Sequence, residues 1–246
     1  MTAVSPTTAA SAEPPLSKDE FVARLRAQGG RYHNLHPFHR RMDAGELDRA
    51  ELRRWVTNRF YYQKSIPLKD AAILANCPDV EVRRVWVQRI LDHDGTAAEP
   101  GGIDSWLALG QALGVDREEL VSERHVLPGV RYAVDAYVDF ARRAPWIEAV
   151  ASSLTELFGP AAIKVRLEAL ERHYPWIDRA GLEYFRTRLV KAPVDARYAL
   201  DVTVAHCLRR DQQDAAVAAL RFKTELLWAQ LDAIDRGDTQ AAVSGG

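Results

Sequence analysis

The sequence predicts an all-α protein, a compact single-domain bundle of about seven helices. Two observations carry that expectation. Apolar residues return every three or four positions through most of the chain, and nothing alternates convincingly with period two. Serine and aspartate caps, glycines and prolines punctuate those periodic stretches, and no internal repeat appears. The chain has 246 residues, 47% hydrophobic and 27% charged, an ordinary globular composition with material for one large domain or two small ones. Its net charge of -1 leaves no electrostatic footprint for nucleic acid or an anionic membrane. No apolar run approaches the roughly 20 residues of a membrane span, and the N-terminus lacks the basic and apolar regions of a secretory signal. Cys77 and Cys207 lie far apart in no metal spacing and read as two reduced thiols of a cytoplasmic protein.

The elements follow in order. Residues 1–16, rich in Ala, Ser, Thr and Pro, read as a disordered tail, 17–236 as the folded domain, and 237–246 as a flexible tail. Ser17-Lys-Asp-Glu20 is a capping box that opens the first helix; Gly29-Gly30 stops it. His33, His36 and His39 then stand three apart. Pro37 interrupts their helical spacing and no carboxylate sits at a matching offset, so no metal is expected, and His36 and His39 read as surface or helix-start residues. Leu47 to Ile73 is a long helix that Pro67 should kink or end. Asp79 caps Val82 to His93, and Gly95 ends it, leaving His93 in the last turn, where the helix dipole raises an imidazole's pKa slightly. After a Gly/Pro loop come Ile103 to Leu113, a start at Asp116, Tyr132 to Arg143, and Trp146 to Phe158. Gly159-Pro160 kinks the last of these before an apolar stripe through Ile163, Leu167 and Leu170. Asp178 to Val190, Pro193 to Leu208 and Gln213 to Ile234 complete the chain.

One stretch breaks the pattern of apolar faces. On the helix from Leu52 to Ile73, the inward stripe has apolar ends and a polar middle: Arg59, Tyr62, Gln63, Lys69 and Asp70. Burying those groups unpaired would cost several kcal/mol each, roughly. The anomaly recurs on other apolar faces, at Arg89 and His93, Tyr137, Thr155, Arg166, Tyr184 and Arg188, and Lys223. If these converge they form a cationic cavity suited to a small polycarboxylate. The alternative is that each cation has its own buried acid, with Asp70, Asp92, Asp94, Asp135 and Glu156 available. There is no nucleophile elbow, phosphate loop or dinucleotide fingerprint, and no Glu-x-x-His pair of the kind a di-iron carboxylate site uses. What remains is histidine and tyrosine acid/base work in a dry cavity.

The motifs NRFYYQ-x-x-IPLKDAA, WVQRILDHDG, GGI-x-x-W, SERHVLPGVR-x-AVDAY, SSLTELF and FK-x-x-LLW resemble those of the pyrroloquinoline-quinone synthase family, from about Tyr32 to about Asp232. The resemblance implies a homodimer with a seven-helix, haem-oxygenase-like fold that uses neither haem nor metal. It implies ring closure and oxidation of a bicyclic tricarboxylate precursor of pyrroloquinoline quinone (PQQ), with molecular oxygen as co-substrate and hydrogen peroxide released. Carried over by position, the substrate contacts are Tyr32, His33, Arg59, Gln63, Lys69, Arg89, His93, Tyr137, Thr155, Arg166 and Lys223. Tyr184 and Arg188 handle oxygen, His93 leads as proton acceptor, and Tyr137 joins the catalytic group. One position departs: Ile163 stands where some members carry a histidine, so any hydrogen bond from that histidine is absent or passed to Tyr184, Arg188 or a water. The tail after Asp235 also departs. Two rival readings are a di-iron oxygenase on the same fold and a non-catalytic carrier of the finished quinone.

Overall fold

The structure, a computed structural model, describes residues 13–237. Among these there are eleven α-helices, joined in places by short 3-10 turns, and no strand. The all-α expectation stands, and the count of about seven is corrected. The helices are α1 Lys18–Ala27, α2 Pro37–Ala44, α3 Arg49–Asn76, α4 Val80–Asp94, α5 Gly102–Ala112 and α6 Arg117–Ser122. They continue with α7 Pro128–Arg143, α8 Trp146–Ser152, α9 Gly159–His173, α10 Glu183–His206 and α11 Arg210–Arg236. Residues 1–12 and 238–246, most of the two expected tails, lie outside the described residues. At Leu16 the chain is already tied down, its N–H donating to Gln213 Oε1 and its carbonyl accepting from Gln213 Nε2.

Caps behave as their chemistry dictates. Ser17 and Glu20 form the expected box at α1, and Asp79 accepts from the N–H groups of Glu81 and Val82 at α4. A second box, Asp48 with Glu51, opens α3. Two prolines expected to break helices lie inside them. Pro67 is buried within α3 and Pro193 is interior to α10, which joins most of two expected helices into one. Each proline removes one rung of the N–H ladder; Pro67 is buried and Pro193 exposed, and both helices continue through. Conversely, the helix expected from Trp146 to Phe158 stops at Ser152 and tightens into a 3-10 turn over Ser153–Leu157. The Ser152 hydroxyl donates to the Ala149 carbonyl at 2.6 Å, in competition with the backbone ladder.

Helix α3 is the axis of the molecule, packed against α4, α5 and α7, while α11 closes over α7 and α8, and α10 over α8 and α9. Two apolar clusters result. Leu52, Trp55, Val56 and Phe60 of α3 join Phe38, Met42, Trp106 and Phe185 in one, and Ile73 joins Phe21, Leu25, Trp86 and Leu220 in the other. Each large side chain sealed this way contributes about 1.5–3 kcal/mol. The polar middle of α3 falls between the two clusters. Cys77 and Cys207 are both free and buried, and burial pushes the thiols up, that of Cys207 to about 11. Among the described residues no helix is long and apolar enough to cross a membrane.

Candidate active site

Between the clusters lies a cavity of about 130 Å³, room for on the order of ten waters. Of the thirteen residues singled out from the sequence, twelve line it. The thirteenth, Lys223 on α11, sits with Nζ 3.2 Å from the ring centroid of Tyr137 and 4.2 Å from that of Tyr62, two of the lining residues. The convergence comes from helical spacing: Arg59, Tyr62, Gln63, Ile66 and Lys69 share one face of α3, Arg89 and His93 one face of α4, and Tyr184 and Arg188 one face of α10. The 3-10 turn after α8 delivers Ser153, Thr155 and Glu156, and α9 delivers Ile163 and Arg166.

The cations are not bare, which corrects the picture of an uncompensated positive hole. Arg89 grips Glu156 with two 2.8 Å hydrogen bonds and reaches Asp70 through Nε at 3.4 Å. Lys69 donates to Asp70 Oδ1 at 2.6 Å and to the Ser153 hydroxyl at 3.1 Å. Arg188 binds Asp195 Oδ2 at 3.3 Å and Glu156 at 3.4 Å, and Arg166 holds Asp43 with Nε at 2.6 Å. Of the acids available in the sequence, Asp70 and Glu156 serve, while Asp92 takes Lys191 and Asp135 accepts from the Tyr61 hydroxyl. Asp43 and Asp195 were not anticipated: Asp43 is 123 residues from Arg166, and the boundary expected at Pro193 separated Asp195 from Arg188, seven residues before it on the same face of α10. Two cations have no acid partner among the described residues. Arg59 donates Nη1 to Gln230 Oε1 at 2.9 Å and stacks on Tyr62, and Lys223 Nζ has no hydrogen-bond partner. Arg59 is therefore the uncompensated guanidinium of the cavity wall.

Burial sets the protonation states. It works to raise Asp70 and Glu156, but Lys69 and Arg89 keep Asp70 low, and Arg89 with Arg188 holds Glu156 at about 2. Burial and the neighbouring Lys69 and Arg59 push Lys223 well below the ordinary lysine range. Tyr32 is raised to about 12, and Tyr184 is raised as well, so both phenols stay protonated; Tyr184 donates to Gln63 Oε1 at 2.9 Å. His93 departs from expectation. Burial, aided by Arg188, lowers it to about 4, outweighing the dipole effect that its place in the last turn suggests. Its Nδ1 lies 2.9 Å from the Arg89 carbonyl, which can only accept, so the neutral ring carries its proton there and leaves Nε2 as a free base.

The histidine triplet divides. His36 caps α2, accepting from the Phe38 N–H, and lies 3.3 Å from Asp232, whereas His33 and His39 line the cavity. All three are buried; His36 and His39 start α2, as the helix-start reading has it, and the surface reading is corrected. Among the described residues no three His, Cys, Asp or Glu side chains are grouped to hold a metal ion. His39, Trp55, Trp106 and Phe185 also line the cavity. Their sequence signal, aromatic rings on apolar faces, is that of an ordinary core.

Fold and cavity together define a class: a helical bundle wrapped around a buried polar site for a small molecule. The backbone is similar, with a TM-score of 0.76, to a solved protein of Shewanella denitrificans OS217 described as a domain of unknown function with a heme oxygenase-like fold; the two share 14% identity over 94% of this chain and 97% of that one. Residues 22–233 match the TENA/THI-4/PQQC family, and the chain belongs to it. It is 57% identical over 220 residues to the pyrroloquinoline-quinone synthase of Pseudomonas entomophila L48, covering 89% of this chain and 88% of that protein. It is also 57% identical over 215 residues to the protein of that name from Ectopseudomonas mendocina ymp, covering 87% and 86%.

Proposed function

We propose that the protein is a pyrroloquinoline-quinone synthase, an oxidase that closes the last ring of a tricarboxylate quinone precursor and oxidises it with O2. The observation that carries this reading is 57% identity to a synthase of that name across 89% of the chain, too extensive for fold likeness alone. The cavity supplies the chemistry. Arg59, with no acid of its own, and the unspent N–H groups of Lys69 and Arg166 offer donors to carboxylates, and fixing three carboxylates fixes the ring. His93 Nε2 takes a ring proton, leaving an electron-rich anion. Each two-electron step then passes two electrons and two protons to O2 and yields one H2O2, so the substrate supplies the redox chemistry and no resident cofactor is required. Arg188 and Tyr184, one turn apart on the cavity wall, stabilise the reduced oxygen species as charge develops. Tyr137 lines the same cavity, and Lys223 stands over its ring. The working unit is proposed to be a homodimer, which would sediment at twice 27.6 kDa.

An oxygen electrode with authentic precursor tests the reading. Oxygen uptake with formation of the quinone supports it. Tight quinone binding with no oxygen uptake would mark a carrier instead, and stoichiometric iron in protein purified without chelator would mark a di-iron enzyme. Replacing His93 with Ala should leave quinone affinity within about threefold and slow turnover about 10²- to 10⁴-fold. Unchanged turnover would remove His93 from the base role.

A further inference from the structure

His39 has no part in the chemistry above, yet its ring is committed in a telling way. It is 2% exposed and lines the cavity, and its Nδ1 lies 3.0 Å from the His33 carbonyl oxygen. A carbonyl only accepts, so the proton of the neutral ring is on Nδ1 and Nε2 is a bare lone pair. That Nε2 is sealed from solvent and has no partner. The neighbouring ring of His33, 4.8 Å away between centroids, has the matching defect: its Nδ1 is also sealed and unpartnered. Sealed polar atoms are almost always satisfied, and two unsatisfied ones on adjacent rings, one of them an obligate acceptor, complement each other. Burial, with Arg59 and Arg166 nearby, keeps both rings neutral. Only the Nδ1 of His33 is sealed, which leaves Nε2 as the nitrogen that reaches open cavity.

We propose that His39 is a positioning residue: a small turn of the two adjacent rings lets its Nε2 accept a hydrogen bond from the Nδ1–H of His33, and so fixes His33 in the tautomer that turns a lone pair, not a proton, toward the ligand. His33 then selects a donor group on the substrate, an N–H or a hydroxyl, while the surrounding cations take the carboxylates. The inference deepens the proposed function and relies on it only for the identity of that ligand.

The test reads ring protonation directly, by two-bond proton–nitrogen correlation spectra of the ¹⁵N-labelled full chain without ligand at neutral pH. The expected spectrum has His33 and His39 both protonated on Nδ1. H39F, which keeps a ring and removes the lone pair, should move His33 to the Nε2–H form and raise KM for the precursor about tenfold, with kcat changed far less. H39Q, whose amide oxygen can accept the same proton, should restore the His33 pattern and most of KM. A wild-type spectrum with His33 protonated on Nε2, or an H39F spectrum in which His33 is unchanged, overturns the inference. Should H39F not fold, the wild-type and H39Q spectra decide. Since these spectra need no turnover, a failure of oxygen uptake would count against the proposed function and leave this assignment standing.

Discussion

At the scale of single residues, depth decides what sequence position cannot. His93 sits where a helix dipole favours the charged imidazole by a few tenths of a kcal/mol to about 1 kcal/mol, yet burial and Arg188 hold it at about 4. An empty cavity thus keeps a base that is neutral but weak. A tricarboxylate beside it should reverse part of that shift, because negative charge favours imidazolium. Adding PQQ is expected to raise the His93 titration midpoint by a unit or more, followed by NMR; an unmoved midpoint would mean the carboxylates bind elsewhere. Most of these residues were legible because a polar or charged group on an apolar face is visible in one dimension; Tyr32 and His33 came only with the family resemblance. Their partners were legible only in part: Asp70 and Glu156 were among the available acids, but Asp43 is 123 residues from Arg166, and no periodicity links the two.

At the scale of elements, α3 shows how one helix both builds and charges the site. Asp70 Oδ1 accepts from Lys69, from Trp86 Nε1 at 2.9 Å and from Arg89, and so ties α3 to α4. Asp70→Asn would leave buried Lys69 with no carboxylate and take one of three from Arg89, a loss of about 3–5 kcal/mol. The expected result is a melting temperature lower by about 10 °C in calorimetry; a drop under 2 °C would show that Glu156 and Asp195 carry the cations unaided. Element type was readable throughout from the 3.6-residue period. Element number was not, because helices as short as α2, α6 and α8 span about two turns and show no sustained period. Pro67 reads as a kink or an end and Pro193 as a helix start in isolation, whereas α3 and α10 each continue through the missing rung. The short 3-10 turn that presents Thr155 and Glu156 was likewise hidden inside an apparently continuous helix.

At the scale of the whole molecule, three buried histidines set an acid limit. The unfolded chain binds protons at each near pH 6.5, while the folded His33, His39 and His93 do not. A folded pKa below the unfolded one means stability is complete above pH 6.5 and falls as pH drops toward the folded value. For His93 alone the loss between pH 7 and pH 5 is about 2 kcal/mol. Below pH 4.5, Glu156 adds its own loss as it is protonated toward about 2. Urea unfolding at pH 7 and pH 5 measures the first effect, and equal midpoints would show that these rings titrate freely.

An oxidase of the proposed kind releases peroxide and must survive its own product. Peroxide attacks thiolate far faster than thiol, and the chain's two cysteines are buried with raised pKa values. Met42, the methionine of the core, is fully covered as well. After prolonged turnover, thiol titration in denaturant should still count two per chain, because both sulfurs are buried, hold their protons, and lie off the cavity wall where the oxidant forms.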